Sequence, residues 1–127
     1  MDKVVHFDVP VSDVKRAQKF YQQAFGWKIN EVPGMNYWMI NTVAVDEKQM
    51  PKEPGAINGG MYKWEDNSEK IVIVVNVPSV DKHIKKITQA GGKVAMPKRS
   101  VGDMGFYARI QDTEGNIIGI WETKPRK

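Results

Sequence analysis

The sequence predicts an α+β protein of two similar modules, each a strand, a helix and three further strands. Three observations carry this. Apolar and polar residues alternate in several short segments, the period of half-buried strands. Two longer stretches repeat their apolar residues at helical spacing, each behind a capping residue and ahead of a glycine. The same punctuation then recurs after about 60 residues, the mark of an internal repeat.

Residues 3–10 alternate, with Val4, His6 and Asp8 on one face and Val5, Phe7 and Val9 on the other. Ser12 and Asp13 offer N-cap oxygens to a helix. Its apolar positions are Val14, Ala17, Phe20, Tyr21, Ala24 and Phe25, and Gly26 stands where a C-cap glycine belongs. Residues 27–31 and 37–43 read as strands. Residues 46–55 hold two prolines and five charges, the composition of an exposed loop, and residues 56–63 form the next strand. The second half opens on a β-branched strand at residues 70–77. Pro78 and Ser79 stop it and cap a helix with apolar positions Val80, Ile84, Ile87 and Ala90, ended by Gly91 and Gly92. Strands follow at residues 93–96, 105–111 and 116–123. Asp112 to Asn116 joins the last two, a type I turn with Gly115 left-handed.

Residue echoes support the repeat. Val9-Pro10 matches Val77-Pro78, and the stretch ending in Gly59 matches the one ending in Gly119. One domain is expected over residues 1–127, with modules at about 1–64 and 68–125. With 41% hydrophobic and 27% charged residues the chain has the balance of a soluble globular domain. It has no cysteine, which removes disulfides, thiolate metal sites and cysteine nucleophiles, and fits a reducing compartment. No apolar run approaches the roughly 20 residues that span a bilayer, and no leader pattern opens the chain. A cytoplasmic protein with no membrane partner is expected. The net charge of +4 owes most of its size to Lys124, Arg126 and Lys127 near the end, a tail expected to be solvated. The remaining charges are interspersed, so no nucleic-acid partner is expected.

Val5-His6-Phe7, the run from Ala17 through Phe20-Tyr21 to Phe25-Gly26-Trp27, and Ala90-Gly91-Gly92-Lys93-Val94 carry a resemblance. So does the ending Asp112-Thr113-Glu114-Gly115-Asn116-Ile117-Ile118-Gly119-Ile120-Trp121-Glu122. Together they resemble the vicinal-oxygen-chelate superfamily of glyoxalases, extradiol dioxygenases and bleomycin resistance proteins, and most of all its glyoxalase-related group. The resemblance implies a curved, eight-stranded mixed sheet around a cavity. It also implies a small-molecule ligand and a homodimer.

Metal-dependent members of that superfamily carry four ligands, on the first and last strand of each module. Position by position, this chain offers His6, Gly59, either Val72 or Val74, and Gly119. Glycine and valine side chains cannot coordinate, and one imidazole holds a divalent ion weakly. Glu122 lies three residues beyond Gly119, on the opposite face of a regular strand. The expectation is therefore a binding protein with no metal and no other cofactor. The alternative is a metal-dependent lyase, isomerase or dioxygenase of the same superfamily. The candidate ligand-binding residues are His6, Asp8, Tyr37, Met39, Gly59, Met61, Gly119 and Trp121. His6 and Asp8 share a face and form either a proton-transfer pair or a histidine beside a solvated strand-end carboxylate. Glycines inside strands mark close approach by a ligand or another backbone. Tyr37 and Met39, or Trp38 and Ile40 in the other register, add lining, as does Phe106 or Tyr107. The same residues would pack a closed core if no cavity exists.

Overall fold

The caps and glycines set the element boundaries in the computed structural model, which describes residues 1–125. Arg126 and Lys127, expected in a solvated tail, lie outside the described residues. The order is β1 (Lys3–Val11), α1 (Val14–Phe25), β2 (Lys28–Glu31), β3 (Trp38–Asn41), β4 (Asn58–Lys63), β5 (Val72–Asn76), α2 (Val80–Gln89), β6 (Lys93–Val101), β7 (Gly105–Gln111) and β8 (Ile117–Thr123). This is an α+β fold with the strand, helix, strand, strand, strand order twice. Among the described residues no helix is long and apolar enough to cross a membrane.

The chain divides into two compact units, one of residues 6–71 and one of residues 1–5 with the chain from Val72 onward. In the first, the strands lie in the order β2-β3-β4-β1. β1 and β4 are parallel, and the β3–β4 and β2–β3 pairs are antiparallel. In the second, the order β5-β8-β7-β6 reproduces that arrangement, with β5 and β8 parallel and the other pairs antiparallel. The repeat in the sequence is thus a repeat of strand pairing.

Asp13 caps α1, its carboxylate accepting from the Arg16 N–H at 3.0 Å. Gly26 ends the helix at φ 73°, a conformation costly for a residue with a Cβ, and its N–H bonds the Gln22 carbonyl. Val14, Ala17 and Tyr21 recur along one stripe and pack on a core of Val9, Val11, Ile29, Ile40 and Met61. Ser79 caps α2 in the same way. That helix closes with Gly91 N–H on the Thr88 carbonyl and Gly92 N–H on the Ile87 carbonyl, the paired bonds of a Schellman motif. Ile84 and Ile87 pack on Val77, Val80, Ala108, Ile110 and Ile120. Each unit therefore buries a core of its own between its helix and one face of its strands.

One strand runs further than alternation predicts. β6 continues through Pro97 to Val101, where the sequence pattern ends it at Met96. The strand stands at the end of the order and shifts register between Val94 and Met96 and again between Met96 and Arg99. A proline without an N–H is tolerated on such an irregular edge.

Candidate functional site

The pairing register decides which side chains meet. His6 stands beside Asn58, and Asp8 beside Gly60. Met39 stands on the other side of Gly60. Adjacent partners in a sheet point to one face. His6, Asp8, Tyr37, Met39, Asn58 and Gly60 therefore share the face of the first unit turned away from α1, and Phe7, Val9, Gly59 and Met61 share the face packed against it.

On the open face three polar side chains close a small ring. The Tyr37 hydroxyl donates to Asp8 Oδ1 at 2.6 Å. His6 Nε2 lies 2.6 Å from the same hydroxyl and 3.1 Å from Asp8 Oδ1. The imidazole also stacks on the Tyr37 ring, with the planes 17° apart. Asp8 is only 6% exposed, so its charge sits in a site that water barely reaches. A buried carboxylate is tolerated where donors converge on it. This removes the reading of Asp8 as a solvated strand-end carboxylate. The strand continues to Val11, so Asp8 is an interior strand residue and not a solvated end.

Gly60 makes the ring fit. A Cβ on Gly60 would overlap the Tyr37 hydroxyl and ring. The phenol lies across the bare backbone and reaches His6 and Asp8 from the residue just ahead of β3, on the far side of β4. Asn58 organises the adjoining chain, its Oδ1 accepting from the Thr42 and Val43 N–H groups.

Two residues expected on this face lie elsewhere. Matching the repeats by similar residues aligns Gly59 with Gly119. The register instead puts Gly59 beside Phe7, where a Cβ would come within 2.9 Å of the Phe7 ring. Met61 lies between Val9 and Trp38 and is wholly buried in the core. The physical cause is a one-residue offset, which reverses every side chain of a strand. Tyr37 and Met39, rather than Trp38 and Ile40, occupy the open face.

The second unit holds the counterpart. Gly119 stands beside Val74, and a Cβ there would come within 2.6 Å of the Tyr107 hydroxyl. Tyr107 lies two residues before Arg109, the register partner of Gly119, as Tyr37 lies two before Met39, the partner of Gly60. The structural equivalent of Gly119 is therefore Gly60. Arg109, which sequence pattern passes over, donates from Nε to the Tyr107 hydroxyl at 3.0 Å. Trp121 shares the Gly119 face and bonds Thr123 Oγ1 through its indole N–H. The places corresponding to His6 and Asp8 are filled by Val72 and Val74, both buried.

These donors do not fit a metal centre of the superfamily type. Among the described residues no three His, Cys, Asp or Glu side chains cluster. Glu122 is turned to the helix side, where its Oε1 accepts from the Val80 N–H at the start of α2. Carboxylates are favoured at that end of a helix. Glu122→Ala is expected to lower stability by about 1–2 kcal/mol in urea denaturation, the cost of a lost charge-assisted cap.

Residues 3–42 match a family described as bleomycin resistance protein-like N-terminal. CFP32 of Mycobacterium bovis, which carries a glyoxylase name, is 34% identical over 121 residues, 91% of this chain and 43% of that protein. This chain thus spans less than half the length of that relative. A glyoxylase-like domain-containing protein of Didymella fabae is 31% identical over 125 residues, 94% of this chain and 92% of its own length. Among solved structures, methylmalonyl-CoA epimerase from Mycobacterium tuberculosis superposes with a TM-score of 0.67 at 15% identity, over 96% of this chain and 88% of that one. At that identity the likeness is one of fold.

Proposed function

This chain belongs to the glyoxylase-like family, and from that membership we propose a small-molecule-binding protein that works without the metal centre of the superfamily it resembles. One observation carries the reading. His6 is the one residue at a superfamily ligand position able to coordinate, and its Nε2 is engaged by Tyr37 and Asp8. The same face presents the Met39 side chain and the Tyr37 ring beside those polar tips, and small-molecule sites combine the two. The candidate residues on this face of the first unit are His6, Asp8, Tyr37, Met39 and Gly60; the second unit, by itself, carries Gly119, Tyr107 and Trp121 on its corresponding face. The reading includes a homodimer, as the superfamily resemblance implies.

Metal analysis of the purified protein tests this directly. We expect far less than one divalent ion per chain, and a melting temperature unchanged by a chelator. One ion per chain that disappears in His6→Ala would overturn the reading and favour a metal-dependent enzyme. A thermal-shift screen of planar aromatic and dicarbonyl compounds then tests binding, with stabilisation expected to be lost in Tyr37→Ala.

A further inference from the structure

We infer that His6 recognises its ligand as a hydrogen-bond acceptor through Nδ1, and so selects a ligand carrying a hydroxyl or N–H donor. This recognition rests on the small-molecule reading of the face and says what kind of group the ligand brings to it.

The protons of the ring assign the nitrogen. A phenol has one proton, and a carboxylate can only accept. Tyr37 therefore gives its proton to Asp8 Oδ1 across 2.6 Å. The Tyr37 oxygen then has only lone pairs to offer His6, 2.6 Å away, so the proton in that contact comes from Nε2. The same N–H leans toward Asp8 Oδ1 at 3.1 Å. An imidazole whose single proton is on Nε2 keeps a lone pair on Nδ1.

Nδ1 is also within reach. It has no hydrogen-bond partner among the described residues, and no buried side-chain nitrogen or oxygen lacks one, so solvent touches this atom. The His6 side chain is 26% exposed. His83 is the contrast within the chain. Its Nδ1 faces the Ser79 carbonyl at 3.2 Å and its Nε2 faces Asp2 at 2.9 Å, so neither nitrogen is left for a ligand. A ligand donor at His6 would take the place of solvent on an acceptor already fixed in one tautomer.

Long-range proton–nitrogen NMR on the ¹⁵N-labelled full chain reads both imidazoles, with phenol and its methyl ether anisole as probes. For His6 we expect a protonated Nε2 and a bare Nδ1 before any probe is added. Phenol should shift the Nδ1 resonance and anisole should not. Phenol should also bind about three- to tenfold more tightly, the worth of one net hydrogen bond. A protonated Nδ1, whatever the state of Nε2, overturns the assignment. If both probes move the Met39 methyl equally and leave Nδ1 unmoved, the face binds small molecules but the recognition inferred for His6 is wrong. If neither probe moves Met39, the binding reading of the face fails and the inference falls with it.

Discussion

Gly60→Val is expected to cost about 3–6 kcal/mol of stability and to dismantle the His6–Tyr37–Asp8 ring. Two effects act together. The new side chain would overlap the Tyr37 phenol, a ring held in place by its hydrogen bonds with Asp8 and His6. Forcing volume into a fitted contact costs about 1–3 kcal/mol. Displacing the phenol then removes its donor from Asp8, a charge-assisted bond worth about 1.5–3 kcal/mol. Urea denaturation measures the sum. Tyr37→Ala in the Gly60→Val background should restore part of the loss, because it removes the overlapping ring. A double-mutant cycle with coupling near zero would show that Tyr37 does not lie over Gly60. Gly59→Val provides the control, since its clash is with Phe7 on the core side and leaves the ring of polar groups without a direct contact.

The pair formed by Gly60 and Tyr37 has a structural meaning beyond one site. A bare strand residue weakens a sheet, and an aromatic side chain laid across it restores covered surface. The same diagonal relation holds for Gly119 and Tyr107. Both units thus build a phenol into the face turned away from the helix, and they differ in what the phenol meets. In the first unit it meets an imidazole and a carboxylate. In the second it meets the Arg109 guanidinium and stands over a strand whose corresponding places are valine. The repeat conserves the scaffold of the site and varies its chemistry.

Most of the fold is legible in local chemistry. Asp13, Gly26, Ser79 and the Gly91-Gly92 pair announce both helices, because caps and left-handed glycines are short-range requirements. The far half of β6 is not legible, since whether a strand can carry Pro97 depends on whether it has a second neighbour, which is a property of the sheet. The site is legible only in part. Alternation groups His6 with Asp8 and Tyr37 with Met39, but their meeting depends on two strand registers. Matching residues between the halves slips by one at Gly59, and one residue is enough to confuse the two faces. The tandem Gly59-Gly60 hides the slip, for either glycine fits the pattern. Arg109 is passed over because a charged residue in an alternating strand reads as solvated, and only the β7–β8 register places it beside Gly119.

Met61→Ala is the strictest test of that register. Alternation alone groups Met61 with ligand-binding residues, so truncation would trim a pocket and leave stability nearly unchanged. The structure places Met61 in the core at 0% exposure, with Val9 and Trp38 as neighbours in the sheet. Truncating a fully buried methionine costs about 2–5 kcal/mol, through lost transfer energy and the cavity left behind. Against a total stability of about 5–15 kcal/mol, that is a large fraction. Met39→Ala is the matched comparison, because Met39 lies on the open face and is 39% exposed. Its truncation should change stability by no more than about 0.5 kcal/mol, as surface substitutions do. It should instead weaken any ligand held by the face. Urea denaturation of the two variants side by side separates the faces. A Met39→Ala loss larger than the Met61→Ala loss would mean that the faces are exchanged, and that Gly59 rather than Gly60 looks toward His6.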